Sequence, residues 1–482
     1  MSELADQTRW MDATDQAALV ADRQVTPPEL LETAIERIEA LNGALNAVVM
    51  KWYDDARATA ADPGLPDGPF RGVPFLLKDL WTHVAGQPLT NGNRALRDAM
   101  PISSLDTTLV SRYRAAGFVF AGRTNSPELG SLPVTEPLAY GPTRNPWDTD
   151  RTPGGSSGGA AAAVAAGMVP IANASDGGGS IRTPASCCGL VGLKVSQGRM
   201  SLGPFRTESN LGVEHCVSRR WRDTARLLDA THGPGVGDSV MAQPPLRPYA
   251  DEVGADPGRL RIGFLAHDPR GGNDIHPECV AAVASTVATL EGLGHHVEDA
   301  WPAALADASM TGRFMAMWAT NMALGMATMS AAIGRELTAD DVEPVNWVQA
   351  EFARGVTGVQ FADALAAVAD FRRSLHQWWA DGYDILVTPT LGEPPVRIGE
   401  HDAVGDDPLA GMKRAAKFVP FTPAFNMSGQ PAVSLPLHRT PEGLPIGVQF
   451  VGAYGREDIL IRLAAQLEQS NPWAHHRPPT SA

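Results

Sequence analysis

The chain has 482 residues, of which 44% are hydrophobic and 19% are charged, a composition typical of globular proteins and unlike that of disordered ones. The formal net charge is −15 and no long Lys/Arg run occurs, so nucleic acid and anionic membrane surfaces are disfavoured as partners. The most apolar run, residues 160–174, falls short of the ~18 residues that span a bilayer, which argues against a transmembrane helix.

The cysteines and the first residues indicate where the protein resides. The four cysteines are Cys187, Cys188, Cys216 and Cys279, and they include no Cys-x-x-Cys pair. Neither a disulfide framework nor a zinc site is therefore predicted. The chain starts with an acidic stretch and lacks the basic-then-apolar pattern of a signal peptide. We expect a protein of the reducing cytoplasm.

Helical signals dominate residues 1–65. The stretch Thr26-Pro-Pro-Glu29 combines an N-cap, prolines in the first turn and the glutamate of a capping box. Apolar residues then recur at helical spacing as far as Leu41, and Gly43 is placed to end the helix. This N-terminal helical region is predicted to be scaffold.

Apolar strands and helices alternate along the rest of the chain, which favours an α/β fold. Buried strands are predicted over residues 72–77, 118–121, 168–172, 260–265, 383–389, 432–437 and 446–451. Helices are predicted over residues 106–117, 158–166, 277–293, about 313–373 and 456–469. The first of these strands delivers Lys78 and Asp79 at its end, and residues 122–128 are predicted to be a loop.

Two glycine-rich clusters each enclose a serine, and these serines are 24 positions apart. Gly154-Gly-Ser-Ser-Gly-Gly159 holds Ser156, and Asp176-Gly-Gly-Gly-Ser-Ile-Arg182 holds Ser180. Glycine permits close backbone approach, so the N–H groups before Ser180 are suited to an oxyanion hole. No histidine occurs between His83 and His215, so the base that activates a serine need not be histidine.

Three other interpretations of these clusters are weaker. Gly155-Ser-Ser-Gly-Gly159 fits the G-x-S-x-G motif of α/β-hydrolase esterases, with Ser157 as nucleophile. That motif needs a strand upstream, whereas residues 144–153 are polar and contain two prolines. A phosphate-binding loop would need a following Gly-Lys-Ser/Thr, and a flexible linker would not be enclosed between regular elements.

With Lys78-Asp79, the two clusters resemble the motifs of the amidase signature family, whose catalytic group is a serine, a second serine and a lysine. The resemblance extends from about Asp12 to Pro478. Within the family, residues 140–199 and 447–468 look most like bacterial hydrolases of the cyclic 6-aminohexanoate dimer. The resemblance implies that residues 1–482 form one α/β domain, in which a large, twisted mixed sheet is covered by helices on both faces.

The resemblance also implies the role of each catalytic residue. Ser180 would attack an amide carbonyl, and Ser156, across a cis Gly155–Ser156 peptide, would relay its proton to a neutral Lys78. An unperturbed lysine has a pKa of ~10.4, so burial has to favour the neutral amine. The N–H groups that would hold the oxyanion belong to Gly177, Gly178, Gly179 and Ser180. No metal or organic cofactor is expected.

Several other residues are assigned to support. Asp176 and Arg182 flank the nucleophile and are expected to pair and hold its loop. Ser157 either forms hydrogen bonds within the site or caps the helix that begins at Gly158. Asp79 is expected to pair locally. Cys187 and Cys188 are expected to be small core residues.

A helical segment of about residues 300–380 is expected to cover the substrate pocket. By resemblance to the same subgroup, Trp318, Asn321 and Met322 are candidates for its lining, although on sequence alone each is more typical of a core. The pair His295-His296 has no third ligand nearby in sequence, so no metal site is expected there.

The function expected from these motifs is hydrolysis of a small linear, cyclic or aryl amide, or of a carbamate, with a small-molecule substrate as partner and neither nucleic acid nor a membrane. The sequence also admits a homodimer. One alternative is the glutaminase-type amidotransferase subunit of a tRNA-dependent complex, which would need partner subunits. A non-catalytic scaffold is disfavoured because both serines and the lysine are present.

Overall fold

The structure is a computed structural model that describes residues 1–206 and 211–482. The strands in these residues are β1 (Val48–Lys51), β2 (Pro74–Lys78), β3 (Val119–Thr124), β4 (Ile171–Asp176), β5 (Val191–Lys194), β6 (Val213–Ser218), β7 (Arg261–Phe264), β8 (His296–Asp299), β9 (Ile385–Pro389), β10 (Ala432–Arg439) and β11 (Pro445–Gly452). The helices are α1 (Glu3–Thr8), α2 (Ala13–Ala21), α3 (Pro27–Leu45), α4 (Tyr53–Ala61), α5 (Arg94–Ala99), α6 (Thr108–Ala115), α7 (Gly158–Ala165), α8 (Arg182–Cys188), α9 (Trp221–Thr231), α10 (Pro277–Gly292), α11 (Met310–Ile333), α12 (Pro344–Arg354), α13 (Gly358–Ala380), α14 (Ala410–Phe418), α15 (Pro423–Ser428) and α16 (Glu457–Ser470).

All these strands form one sheet in the order β1-β3-β2-β4-β6-β5-β10-β11-β9-β7-β8. The sheet is mixed, because β2 runs parallel to β3 and β4, whereas β6, β5, β10 and β11 are joined by antiparallel pairings. Parallel pairing returns at the other edge, between β9, β7 and β8. Strands from the two ends of the sequence are thus hydrogen-bonded side by side at the centre, where β5 meets β10.

Helices cover both faces of the sheet, as predicted. In β2, Phe75 and Leu77 belong to a buried cluster that includes residues of α6, α9, α10 and α16. Leu76, between them, belongs to a second cluster that includes residues of α3, α7 and α8. Because successive side chains of a strand point to opposite faces, each face of β2 has its own helical layer.

The N-terminal region follows its predicted signals except at two points. Thr26 and Glu29 form the predicted capping box of α3. The helix does not end at Gly43 but continues to Leu45, and Asn46 terminates it in the left-handed conformation. Residues 1–65 are also not wholly helical, since they contribute the edge strand β1, which pairs antiparallel with β3.

Two predicted boundaries were wrong beside the site. The strand predicted over residues 168–172 starts later, at Ile171, and continues to Asp176, because β4 pairs along its whole length with β6. Residues 122–124, predicted to be loop, belong to β3, where Thr124 pairs with Lys78 of β2. Both strands therefore extend closer to the functional residues than the sequence indicated.

The tract over residues 300–380 is helical, as predicted, and consists mainly of α11, α12 and α13. No helix in the described residues has both the length and the apolar character needed to cross a membrane.

Candidate active site

A buried lysine lies at the centre of the site. Lys78 is the last residue of β2, and its side chain is fully buried. Its Nζ lies 2.7 Å from Ser156 Oγ and 2.9 Å from Ser175 Oγ. The structure therefore brings together the lysine and the first serine that the sequence places 78 residues apart.

The surroundings of Lys78 favour its neutral form. Burial lowers the pKa of this amine, whereas the negative charges of Glu214 and Asp176 act in the opposite direction. The resulting pKa is about 7. At neutral pH a large fraction of such an amine has a free lone pair, which is the requirement for accepting a proton from a hydroxyl group.

The second serine lies just beyond β4, at the wall of a cavity. Ser180 is partly exposed, and its hydroxyl group makes no hydrogen bond to any residue that the structure describes. Its carbonyl oxygen accepts a hydrogen bond of 3.3 Å from the Ser157 N–H, which ties the two glycine-rich clusters together. The peptide between Gly155 and Ser156 is cis.

The glycines before Ser180 present N–H groups, but not all four of the predicted ones are available. The Gly179 N–H donates to Asp176 Oδ1 at 2.8 Å, so the prediction that it holds the oxyanion is not supported by the geometry. Within the described residues, no hydrogen bond engages the N–H of Gly177, Gly178 or Ser180. These three N–H groups are the candidates for an oxyanion hole.

The loop that carries Ser180 is held by a buried ion pair. Arg182 donates to both carboxylate oxygens of Asp176 at 2.9 Å, as the sequence predicted for these two residues. Burial opposes ionisation of Asp176, but Arg182 outweighs it and holds the pKa of that carboxyl well below its usual range. Thr422 Oγ1 donates to the Gly178 carbonyl at 2.6 Å, and Asn426 Nδ2 donates to Asp176 Oδ1 at 2.9 Å.

One glycine of this loop is required for close approach. Gly179 has φ +137°, and a Cβ built on it would lie 2.3 Å from Thr422 Oγ1. A side chain at this position would displace the threonine that holds the Gly178 carbonyl, so only glycine fits.

The cavity beside Ser180 is mainly apolar. Its volume is about 210 Å³, and its walls include Gly178, Ser180 and side chains from α11, α14 and α15. Phe314 and Trp318 of α11 stack with a centroid distance of 5.4 Å and lie next to Gly178 and Gly177, respectively. The helical segment over residues 300–380 therefore contributes to the cavity wall.

Only one of the three predicted pocket residues lines this cavity. Trp318 is part of the wall. Asn321 and Met322, one turn further along α11, are not: Asn321 Nδ2 donates to the Met317 carbonyl, and Met322 packs in an apolar cluster with Leu129. Positions three and four residues apart share a helix face, so these two residues follow the stripe of Phe314 and Trp318 but lie one turn further along the axis, beyond the residues that line the cavity.

Sequence comparison identifies the family. A family model described as Amidase matches residues 29–461 of this chain. The 6-aminohexanoate-cyclic-dimer hydrolase of Paenarthrobacter ureafaciens is 42% identical over 478 residues, which are 97% of this chain and 96% of that protein. This chain belongs to the amidase family.

Solved structures agree with this assignment. The amidase matches a structure of 6-aminohexanoate cyclic dimer hydrolase with a TM-score of 0.94 and 41% identity, over 98% of this chain and 99% of that one. It matches a bacterial aryl acylamidase of the amidase signature family with a TM-score of 0.85 and 29% identity, over 96% and 97% of the two chains. The predicted fold and the predicted class, a hydrolase of amide C–N bonds, are thereby confirmed.

The amidotransferase alternative fits less well. A glutamyl-tRNA(Gln) amidotransferase subunit of Thermotoga maritima matches over 98% of each chain, but with a lower TM-score of 0.74 and 25% identity. It is a more distant neighbour of this amidase than the two hydrolases are.

The α/β-hydrolase interpretation of Ser157 is wrong. Residues 144–153 form no strand, so the amidase lacks the strand that a nucleophile elbow requires. Ser157 Oγ instead donates to the Ser175 carbonyl and accepts from the Ser175 N–H, both at 3.2 Å. It makes no capping hydrogen bond to α7, so of its two predicted roles only the hydrogen bonding within the site is observed.

Other side chains singled out in the sequence serve the scaffold. Asp79 accepts hydrogen bonds from Thr90 and from the Gly92 N–H, which fixes the loop after β2. Cys187 and Cys188 are buried free thiols, as expected of core residues. His295 contacts Gln466 through Nε2 and accepts from the Leu260 N–H through Nδ1. Among the described residues, no group of three His, Cys, Asp or Glu side chains is arranged to hold a metal ion.

Sequence reasoning missed residues whose role depends on strand pairing. Ser175 borders the second cluster and has no motif role of its own, although its hydroxyl contacts Lys78. Asn173 and Glu214 are buried nearby on β4 and β6. The only sequence signal for Asn173 and Glu214 is a polar residue inside an apolar strand, since their partners lie in distant segments.

Proposed function

We propose that this protein hydrolyses small uncharged amides through an acyl-enzyme formed on Ser180. The observation that carries the proposal is the buried contact of 2.7 Å between Lys78 Nζ and Ser156 Oγ, next to a Ser180 hydroxyl that is open to the cavity. A lysine in this environment replaces the histidine of other serine hydrolases as the base.

The proton follows a relay in both directions. As Ser180 Oγ forms its bond to the amide carbon, its proton passes to Ser156 Oγ while the Ser156 proton passes to Lys78 Nζ. When the C–N bond breaks, the ammonium group of Lys78 returns a proton through Ser156 to the leaving nitrogen. Water then attacks the ester carbonyl by the same route, and the acid is released.

The N–H groups of Gly177, Gly178 and Ser180 would hold the oxygen that becomes negative in the tetrahedral intermediate. Each preorganised donor of this kind typically contributes a few kcal/mol, about 2.7–4 in measured cases. The ion pair of Asp176 with Arg182 and the hydrogen bond of Thr422 to Gly178 keep this loop in place.

The cavity supports an uncharged substrate. Apolar side chains such as Leu132, Phe314 and Phe425 form most of its wall, and its two charged residues, Arg270 and Asp307, are exposed. A charged substrate end buried here would lose its hydration without a partner, which costs several kcal/mol. We therefore propose cyclic and aryl amides, with carbamates of similar shape, as the preferred substrates.

Substitution of the catalytic residues tests the mechanism. Ser180→Ala and Lys78→Ala are each expected to lower kcat by at least about 10³-fold, since the parts of such a relay act as a unit. Ser157→Ala is the matched control, because Ser157 contacts only the backbone of Ser175 through its hydroxyl group and is expected to keep part of the activity. Loss of activity in Ser157→Ala with retention in Ser180→Ala would overturn the assignment.

A substrate panel tests the preference for uncharged amides. We expect kcat/KM for an anilide, a cyclic amide and an aryl carbamate to exceed that for a zwitterionic linear dimer of 6-aminohexanoate by at least about tenfold, because the buried part of the wall is apolar and its two charged residues are exposed to water. A preference for the zwitterion would contradict the proposed role of the apolar wall. Activity of the purified chain alone would also argue against an amidotransferase subunit, which needs partner subunits.

We further propose that the protein works in the cytoplasm, as a homodimer, and without nucleic acid. Four buried free cysteines suit a reducing compartment, and the net charge of −15 disfavours nucleic acid.

Leu324, Phe352 and Val359 of the α11–α13 segment are exposed in the single chain and would be covered by a second copy. Light scattering on the purified protein tests the dimer, and a monomer mass would contradict it.

A further inference from the structure

A second group of buried polar side chains lies beside Lys78. The Lys78 backbone N–H donates to Asn173 Oδ1 at 3.2 Å, and Asn173 Nδ2 lies 3.4 Å from Glu214 Oε2. The other carboxylate oxygen of Glu214 accepts a 2.6 Å hydrogen bond from Arg206 Nη1. Glu214 is 5% exposed, so this carboxylate is buried, and its negative charge acts on the Lys78 amine.

The strand register places Glu214 on the same face of the sheet as Ser175, whose hydroxyl group the Lys78 amine contacts. Glu214 of β6 is directly opposite Ser175 of β4, and opposite residues of an antiparallel pair project to the same face. The Lys78 side chain reaches over β4 to the Ser175 hydroxyl, 2.9 Å away. The amine and Glu214 are thus both neighbours of Ser175.

Five charged groups surround Lys78 on the elements packed against it. They are Asp79 and Arg123, at the ends of β2 and β3, Asp176 on β4, Arg206 before β6, and Glu214 on β6. Asp79 is occupied by Thr90 and Gly92, and Arg123 donates to the Lys78 carbonyl rather than the amine. Asp176 is paired with Arg182, whose side chain donates two hydrogen bonds to it.

We propose that Glu214 is a positioning residue for the proposed general base: its carboxylate, held by Arg206 and Asn173, stabilises the ammonium form that Lys78 takes between accepting and returning the proton. This inference rests on the proposed function. Glu214 touches neither the substrate cavity nor the two catalytic serines, so it acts only through Lys78.

The electrostatics of the site support this role. Burial lowers the pKa of Lys78, and Glu214 is the strongest of the influences that raise it again. Without that charge the amine would be a weaker base, and proton transfer from the serine pair would become less favourable. Arg206 in turn favours the ionised form of Glu214, although burial raises the pKa of this carboxyl above its usual value.

The test is the pH dependence of kcat/KM, whose acid limb reports the base in the free enzyme. Glu214→Gln removes the charge and keeps the shape, so the pKa of the acid limb is expected to fall by about one unit, the size of a partly screened charge interaction. Glu214→Asp keeps the negative charge, so its acid limb is expected to stay close to that of the wild type. Glu252→Gln is the control, because Glu252 is another buried carboxylate paired with arginines, Arg247 and Arg462.

The outcomes separate this inference from the proposed function. A lower acid limb in Glu214→Gln, with limbs close to the wild-type one in Glu214→Asp and Glu252→Gln, supports the positioning role. An unchanged limb in folded Glu214→Gln overturns it but leaves the proposed catalytic group of Ser180, Ser156 and Lys78 intact. If Glu214→Gln does not fold, Glu214→Ala takes its place, and an unchanged limb in folded Glu214→Ala overturns the inference. Full activity of Lys78→Ala would overturn the catalytic group itself.

Discussion

At the scale of single residues, the site depends on the pKa of one amine. Lys78 would be protonated at neutral pH in water, where a lysine has a pKa of ~10.4. Full burial brings its pKa to about 7, and the two hydroxyl groups of Ser156 and Ser175 occupy its surroundings.

Activity is expected to fall on the acid side of pH 7. Protonated Lys78 has no lone pair to accept the serine proton, so kcat/KM should decrease about tenfold per pH unit well below its pKa of about 7. Initial rates with an uncharged anilide, followed from mildly acidic to mildly alkaline pH, measure this profile. A rate that stays constant well into the acidic range in folded protein would show that Lys78 is not the base.

The buried ion pair beside Ser180 is expected to contribute far more to stability than exposed ion pairs do. Asp176→Asn leaves the Arg182 guanidinium buried without its carboxylate, which typically costs about 3–5 kcal/mol of unfolding free energy. Asp370→Asn, at the exposed pair with Arg373, is the control and should cost less than about 1 kcal/mol. Urea unfolding of both variants measures the difference, and equal losses would contradict it.

The residues of the proposed catalytic group carry sequence signals, whereas part of their environment does not. Ser156, Ser180 and Lys78 stand in recognisable motifs, and the structure places Lys78 against Ser156. Ser175 and Glu214 carry no motif of their own, because their contribution arises from the pairing of β4 with β6. The hydrogen bond from the Gly179 N–H to Asp176 could likewise not be predicted, since it depends on the path of the loop.

At the scale of secondary-structure elements, the sequence predicts a boundary well where a capping side chain sets it. It predicts a boundary poorly where contacts with distant residues set it. The capping box at Thr26 marks the start of α3, whereas its end is set by a left-handed residue, which is Asn46 and not the earlier Gly43. Gly43 lies inside the helix because Asn42, one residue before it, binds the backbone of Ala47 and Val48 and directs the chain into β1.

The helical segment over the cavity is attached to the site by two buried glutamates. Glu343, the N-cap of α12, accepts from the Leu138 N–H at 2.8 Å, and its own N–H donates to Glu128. Burial, and then the charge of Glu128, raise the pKa of Glu343 to about 8. An unfolded glutamate has a pKa of ~4.3. Between pH ~4.3 and about 8, the folded protein therefore keeps a proton on Glu343 that the unfolded protein releases.

This attachment is expected to weaken as pH rises. Stability from a raised carboxyl pKa is fully present below ~4.3 and is lost as pH rises through about 8. This dependence of the unfolding free energy amounts to at most about 1.4 kcal/mol per pH unit. Glu343→Gln should remove it, because glutamine keeps the acceptor for the Leu138 N–H but does not titrate. Urea unfolding at several pH values on both sides of neutrality measures it.

The control for this effect lies in the same helix. Glu351→Gln changes an exposed glutamate of α12 and should leave the pH dependence of stability as it is in the wild type. If Glu343→Gln and Glu351→Gln give the same profile, the buried pair does not titrate as described.

At the scale of the whole molecule, one sheet contains strands from the first and the last parts of the sequence. Strands from the first half, such as β5, pair directly with strands from the last fifth, such as β10. This arrangement follows from no local pattern, which is why the α/β class could be predicted from strand and helix alternation, whereas the strand order could not. The family resemblance supplied the mixed sheet.

We propose that residues 1–482 unfold as one domain, because neither half of the sheet can separate without breaking the β5–β10 pairing. Urea transitions followed by tryptophan fluorescence and by far-ultraviolet circular dichroism should therefore coincide. Two separated transitions would show that the chain contains independently stable parts.

The central claim, that Ser180 is the nucleophile, is tested most directly by covalent labelling. The folded protein is treated with a fluorophosphonate, and the adduct is located by peptide mass spectrometry, with Lys78→Ala as the variant in which the base is missing. We predict a single adduct on Ser180 in the wild type and its slow formation in Lys78→Ala. An adduct on Ser157, or no adduct at Ser180 in folded and active protein, would contradict the account.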